Sequence, residues 1–411
     1  MLLIHRMKKV LYISYDGMTD PLGQSQVINY LLGLSKKNYR FDILSFEKPE
    51  RFKSQGDYIK SLLQKNDIGW YPQIFHSKVP FFSKVLDKMT LLNVARRLNK
   101  KNKYDLIHCR SYLAAEAGLK LKNESGVKFL FDMRGFWADE KKDGGSWDIE
   151  KWYWRKIYLF YKKKEQQFIE NADHIISLTR KGKNEIQSWY FYNNKVPLTV
   201  IPCCADGEHF ALTSNEKKSK AREKIRISSE DFVVSYLGSV GTWYMLDEML
   251  QFFNKLYERN NNAFFLILTN SKPDDVLERI RKNNINAERV KIFSVPFTDV
   301  PFYMYASDVS LSFIKPVYSK ISSSPVKIGE ILSMGIPIIA NDIGDSGNFI
   351  EEHHTGIMVR DLSEKEMKNA ITKIDSIIKL DPVKIRKQAI SEYSLEKGIN
   401  LYSEVYQHLL G

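Results

Sequence analysis

Short apolar runs and longer stretches of helical period alternate along this sequence, and their order sets a fold class. Residues 8–15, KKVLYISY, carry the β-branched and aromatic side chains suited to a strand. A loop, DGMTDPLGQSQ, follows. Then Val27, Tyr30, Leu31 and Leu34 recur at i, i+3, i+4 and i+7, which predicts a helix. FDILSF, IGWYPQIF, DLIHCR, KFLFD, HIISLT and LTVIP read as further strands. Helical stretches at 49–65 and 83–101, and a small-residue helix holding Ala114, Ala115 and Ala117, separate them. Beyond a polar stretch, NEKKSKAREK, the pattern restarts with FVVSYLGS, a helix over 245–260, and the runs AFFLILT, VKIFSV, VSLSFI, IPIIA and HTGIMV. Amphipathic helices over 363–380 and up to Leu410 close the chain. Such alternation predicts α/β domains whose parallel sheets are covered on both faces.

Ligands of these sheets sit outside the carboxyl ends of the strands. His108, Arg110 and Ser111 stand at one such end, and Asp132, Arg134, Asp139 and Glu140 at or beyond another. Gly23 closes the first loop, where a missing Cβ lets a ligand approach the backbone and Gln24 and Ser25 present N–H groups. Gly238, Ser239, Gly241 and Thr242 follow FVVSYL and can admit a phosphate near backbone amides. Each also has a plainer reading. His108 suits a core histidine with a satisfied ring, Arg110 and Arg134 suit ion pairs, and Gly23 suits a simple turn.

The most informative stretch is 322–341, SSSPVKIGEILSMGIPIIAN. Ser322, Ser323, Ser324 and Pro325 open a helix with the proline in its first turn, Gly335 ends it, and IPIIA predicts a buried parallel strand. Lys327 and Glu330, three residues apart, share one edge near the helix N-terminus. One reading is an ordinary surface pair. The other is a nucleotide site, with phosphate at the N–H groups and the ammonium, and ribose hydroxyls donating to the carboxylate.

The chain has 411 residues, enough for two domains, and at 43% hydrophobic and 27% charged it is globular rather than disordered. Its apolar runs fall far short of the roughly 20 residues of a membrane span. The start leads into a strand without a leader's cleavage region, so a cytoplasmic location is expected. Cys109, Cys203 and Cys204 offer neither a disulfide framework nor metal spacing. A net charge of +13 points to an acidic partner such as a nucleotide, an anionic lipid or a nucleic acid.

Part of that charge is concentrated. Between Lys151 and Lys164 lie six basic residues and no acid, interleaved with aromatics. On a helix Tyr153, Trp154, Ile157, Tyr158, Phe160 and Tyr161 group on one side, with Lys151, Arg155 and Lys162 elsewhere. That suits either an anionic membrane surface or a core-facing helix with a solvated basic face. Single-stranded nucleic acid is a third partner of this chemistry, but no nucleic-acid module accompanies it, and none is expected to bind.

The spacing S-x-P-x-K-x-x-E-x-L-x-x-G-x-P at 323–337 resembles the donor-site motif of glycosyltransferase family 4, and the likeness extends over nearly the whole chain. The family implies a GT-B fold of two Rossmann-like domains with parallel sheets facing across a cleft. Residues 1–210 would bind acceptor, 211–390 would bind the nucleotide sugar, and a last helix over 391–411 would return to the first domain. It implies a retaining hexosyltransferase that uses UDP- or GDP-sugars without a metal, commonly in cell-surface polysaccharide synthesis, with a glycan or lipid-linked acceptor. Arg134, Lys327 and Glu330 would be catalytic. Gly23, Gly238, Ser239, Gly241, Thr242, Val295 and Ser322–Ser324 would join Lys327 and Glu330 around the donor, and His108, Arg110 and Asp132 would face the acceptor.

Three positions depart from the family's usual form. Ser322 stands where a first Glu is common. Arg134 and Gly135 stand where a His-Gly pair is common, exchanging a titratable ring for a fixed charge. Ser239 and Tyr244 stand near the places of an Arg and a Lys that grip the diphosphate, leaving Lys327, with Lys320, to supply more of the charge. Two rivals come from other classes. A sugar-nucleotide epimerase would act on the donor alone, and a non-catalytic lipid- or nucleic-acid-binding protein would not use Glu330.

Overall fold

The computed structural model describes residues 6–76 and 80–411. Two compact units divide the chain: Met1–Pro202 with Leu395–Gly411, and Cys203–Ser394.

The first unit carries strands β1 (Lys8–Ser14), β2 (Tyr39–Glu47), β3 (Gly69–Ile74), β4 (Leu106–Arg110), β5 (Lys128–Asp132), β6 (His174–Ser177) and β7 (Leu198–Val200). They form one parallel sheet in the order β3-β2-β1-β4-β5-β6-β7. Helices on both faces make its inner strands almost wholly buried, so β4 reads as a continuous buried run rather than an alternating one. The C-terminal helix Leu395–Leu410 packs on the helix Asn29–Ser35 of this unit. Gly33 makes that approach feasible, because a Cβ there would strike the Ile399 side chain.

The second unit carries β8 (Phe232–Leu237), β9 (Ala263–Leu268), β10 (Val290–Phe293), β11 (Val309–Ser312), β12 (Ile338–Asn341) and β13 (Gly356–Val359), in the parallel order β10-β9-β8-β11-β12-β13. Alternate residues feed two cores. Val234, Tyr236, Phe265 and Ile267 pack with helices Leu246–Arg259 and Glu364–Ile377. Val233, Phe264, Leu266 and Leu268 pack with Val326–Ser333 and Pro382–Tyr393. No described helix is long and apolar enough to cross a membrane.

Three local expectations change. Pro325 is not inside the first turn: the helix begins at Val326, with Pro325 as its extended N-cap, and the serines belong to a 3-10 turn (Tyr318–Ser322) and the bend after it. The helix after the first loop starts earlier than expected: it runs unbroken from Pro21 to Ser35 with a π segment at Gln24–Ile28, so Gly23 lies in its first turn rather than at the end of the loop. The aromatics of the helix Trp152–Asn171 do not share a side. Tyr158 donates a 2.7 Å hydrogen bond to the buried Asp139, while Trp152, Tyr153, Leu159 and Phe160 face outward. Lys162, expected on the polar side, turns inward to pair with Asp139 and Glu165. Those two buried acids need a cation, and that need outweighs the helix's own amphipathic pattern.

Candidate active site

In the second unit the connections leave β8 and β11, which are neighbours, in opposite directions along the sheet. The loops that follow them flank the switch point at the carboxyl ends, the crevice where open α/β sheets bind their ligands. The loop after β8 turns at Gly238 (φ +144°), Gly241 (φ +117°) and Thr242 (φ +29°). Backbone bonds hold it: Gly238 N–H donates to the Leu268 carbonyl at 3.0 Å, Lys315 N–H to Trp243 at 2.8 Å, and Met245 N–H to Phe313 at 3.0 Å. The loop after β11 is clamped by Asn341 at the end of β12. Its amide accepts from Ile314 N–H at 2.8 Å and donates to the Ile314 carbonyl at 2.7 Å.

Lys327 and Glu330 enter this crevice from the helix Val326–Ser333, and both are buried. A surface pair is thereby excluded. The Lys327 ammonium has no hydrogen-bond partner among the described residues and lies 3.6 Å from the ring centroid of Tyr244 and 4.7 Å from that of Tyr236. Aromatic faces offer it only part of what water would give. Above it sits Gly238, where a Cβ would stand 2.7 Å from Nζ. Tyr236 is fixed in turn by donating to the Ser239 carbonyl at 2.6 Å. Burial pulls the Lys327 pKa down to about 7, against an upward pull from Glu330. Burial also pushes Glu330 up to about 7, with Lys327 opposing. Each charge is poorly solvated, and a dianion arriving at the helix N-terminus would relieve the ammonium. Lys320, also buried, lies with its Nζ 3.8 Å from the Trp243 centroid.

The remaining donor-side residues divide. Gly238, Ser239, Gly241 and Thr242 belong to the crevice loop. Ser322 donates to the Ser319 carbonyl at 2.9 Å and Ser324 accepts from Cys203 N–H at 3.1 Å, so these hydroxyls brace the turn before the helix. Ser323 is half-buried in the same turn. Val295 follows the edge strand β10 and is half-buried against the hydrophobic core.

In the first unit the corresponding switch lies between β1 and β4. Arg110 ends β4, buried, with Nε 3.4 Å from Asp16 and Nη1 unpartnered among the described residues. Arg134 follows β5 in a left-handed conformation (φ +56°), ahead of Gly135 at φ +114°, with Nη1 3.9 Å from Asp132. A non-glycine residue in that region is strained, and surrounding structure must hold it there. His108 and Asp132, expected to face an acceptor, are instead buried beneath the C-terminal helix. His108 Nδ1 is 2.7 Å from the Tyr406 hydroxyl and Nε2 3.4 Å from Asp132, and Tyr402 donates to Asp132 at 2.8 Å. His108 Nδ1 and Asp132 Oδ2 thus hold that helix, while Asp132 Oδ1 has no hydrogen-bond partner among the described residues. Burial lowers the His108 pKa. Burial would raise that of Asp132, but Arg134, His108 and Arg110 together hold it below its usual value. Gly23 is likewise a packing residue. A Cβ there would collide with the Gly17 carbonyl, so the glycine lets the chain pack closely on itself at this point. Glu47, buried at the end of β2, takes N–H groups of Met18 and Thr19 at 2.8 and 3.0 Å and fixes the loop they lie in.

The aromatic plates Tyr236, Trp243 and Tyr244, and the clamp Asn341, were not assigned by motif. A polar residue ending the apolar run IPIIAN was the signal for Asn341. Tyr244 was visible only as a departure from a basic position. Among the described residues no group of three or more His, Cys, Asp or Glu side chains is placed to hold a metal.

Comparisons with known proteins bear on the family and the fold. Residues 23–209 match the model described as Glycosyltransferase Family 4, and residues 231–375 match Glycosyl transferases group 1. An uncharacterized glycosyltransferase of Methanocaldococcus jannaschii is 21% identical over 271 residues, 64% of this chain and 65% of that protein. The match thus spans just under two thirds of that relative's length. A glycosyltransferase from Rickettsia africae superposes with a TM-score of 0.69 at 18% identity, over 99% of both chains. Anabaena HepE, solved in complex with UDP and glucose, gives a TM-score of 0.71 at 14% identity, over 98% of this chain and 100% of that one. The architecture is therefore GT-B. With the two models together matching most of the sequence, the chain belongs to glycosyltransferase family 4.

Proposed function

We propose that this chain is a retaining hexosyltransferase that moves a sugar from a UDP- or GDP-sugar to a hydroxyl of a glycan or lipid-linked acceptor, in cell-surface polysaccharide synthesis. One observation carries the donor half of this reading. The Lys327 ammonium is buried without a hydrogen-bond partner among the described residues, beneath a glycine and at a helix N-terminus. A diphosphate supplies the missing anion, and ribose hydroxyls donate to Glu330 in the next turn of the helix. Gly238, Ser239, Gly241 and Thr242 line the phosphates, Ser322–Ser324 shape the turn beside them, and Val295 stands on the side of the base. The UDP held by HepE, of the same fold, supports a nucleoside diphosphate as the ligand.

In the retaining route the acceptor hydroxyl oxygen attacks the anomeric carbon on the face from which the diphosphate leaves. The bond to the phosphate oxygen breaks, its electron pair stays on that oxygen, and the same oxygen takes the acceptor's proton. Lys327 and the helix dipole stabilise the departing charge, and no metal is needed for that task. On the Met1–Pro202 unit, Arg134 and Arg110 supply fixed positive charge at the strand ends, with His108 and Asp132 positioning them from behind.

The test is thermal shift against UDP, GDP and their sugars, followed by product analysis with and without acceptor. Lys327→Ala and Glu330→Ala should each abolish the nucleotide-induced shift while leaving a folded protein. A full shift in both variants removes the site. Conversion of the donor to an isomer without any acceptor would replace transfer with epimerisation.

A further inference from the structure

We infer that the Met1–Pro202 unit docks on an anionic lipid bilayer through a patch built from two helices, Trp152–Asn171 and the first turns of Pro80–Asn102. On the first helix Trp152, Tyr153, Lys156, Leu159, Phe160 and Lys163 recur at helical spacing and are all exposed. Trp152 is 69% and Leu159 55% accessible. The opposite face already does the packing, through Phe168 and the bonds of Tyr158 and Lys162 to buried acids. The exposed aromatics are therefore not the residues that anchor this helix on the unit.

The second helix widens the patch. Val85, Leu86 and Met89 are exposed on it. Lys88, between them, places its ammonium 5.0 Å from the Tyr161 ring and 5.7 Å from that of Phe160, and pairs with Glu116 at 2.6 Å. An apolar surface of this breadth on a globular protein marks an interaction site. Its charge says which. Arg155, Lys156 and Lys163 are exposed on the first helix and Lys84 on the second, while Lys151, just before the first helix, pairs with Asp148 at 3.4 Å; the stretch 151–164 contains no acid. Tryptophan and tyrosine favour the boundary between head groups and acyl chains, while lysine stems lie along the apolar part and lift their ammonium groups to the phosphates. Basic residues interleaved with interfacial aromatics complement an anionic bilayer rather than a second copy of the same cationic surface.

Position gives the patch a purpose. Asp87, on the second helix, accepts a 2.6 Å hydrogen bond from Tyr15, just past the end of β1. The patch thus borders the carboxyl ends of β1 and β4, where Arg110 stands. A bilayer lying on it would bring a lipid-carried hydroxyl to that crevice. Only this purpose rests on the transferase reading; the lipid contact stands apart from it.

Flotation of the full chain with vesicles of phosphatidylcholine, alone or mixed with phosphatidylglycerol, tests the inference. Binding is expected only with the anionic lipid and should weaken with salt. K156E/K163E should lower the partition coefficient by at least about 25-fold, roughly fivefold for each lysine lost, with the new acids lowering it further. L159S/F160S should lower it on the order of tenfold through lost apolar burial. Both variants should keep the wild-type melting temperature and nucleotide-induced shift, so failure here leaves the donor site untouched. No flotation at low salt, or equal flotation of both double variants and wild type, overturns the proposal. So does a lipid-free dimer that L159S/F160S dissolves, because the patch would then be a subunit interface.

Discussion

Lys327 and Glu330 are two ionisable groups in a place that solvates neither, and this has a measurable pH signature. With Lys327 lowered to about 7, the unfolded chain binds more protons than the folded one between about 7 and 10.5, so this group's contribution to stability rises with pH across that window. With Glu330 raised to about 7, the folded chain binds more protons between 4.5 and about 7, and its contribution falls as pH rises there. Their combined penalty is greatest near pH 7. The double variant K327M/E330Q should therefore unfold at higher temperature than wild type at pH 7, by ~1–4 kcal/mol in stability, with a smaller gain near pH 5. It should lose all nucleotide-induced shift; a less stable double variant at pH 7 would show the pair to be well compensated. Nucleotide affinity should also fall as pH rises above about 7, because only the protonated lysine attracts phosphate. Calorimetric titration near pH 7 and pH 9 checks this, with proton uptake on binding at the higher pH. The identity and spacing of the pair were legible in the sequence. Its burial was not, since an i, i+3 Lys and Glu suit an exposed helix equally well, and the covering rings of Tyr236 and Tyr244 come from a strand and loop far away in the chain.

At the scale of elements, the crevice depends on two loops held in shape by single residues. Gly238 combines a φ of +144° with a site where a Cβ would stand 2.7 Å from the Lys327 ammonium. Gly238→Ala should displace that ammonium and remove nucleotide binding, read by thermal shift, while the sheet stays folded. Asn341→Leu leaves both backbone groups of Ile314 without a partner in a buried place, which should cost about 1–3 kcal/mol for each group, read by denaturant unfolding. Strands were legible because both faces of each sheet are covered and the apolar runs are unbroken. Two things were not. Which side of the helix Trp152–Asn171 is buried is decided by Asp139 and Glu165, whose need for a cation draws Lys162 inward. What each glycine makes room for is decided by what faces it: Gly23 meets the Gly17 carbonyl, Gly238 an ammonium.

At the scale of the molecule, the last helix completes the first unit rather than the second. Tyr402 and Tyr406 close over His108 and Asp132, and Tyr406 packs edge-on against Tyr39, 5.1 Å between centroids. A chain ending at Ser394 should lose cooperative unfolding of the Met1–Pro202 unit, since the Asp132 carboxylate and the His108 ring would lose hydroxyl partners and the apolar face beneath would be bared. Tyr402→Phe is the milder form, expected to cost about 1–3 kcal/mol with the fold kept. The return of the chain to its beginning was legible only through family resemblance; an amphipathic final helix does not itself say which unit it covers. That return also governs manufacture. As the polypeptide leaves the ribosome, the half made first must wait, with its central histidine and aspartate uncovered, until the final turns emerge. The half made second can close before it, so the order of translation and the order of completion run opposite ways.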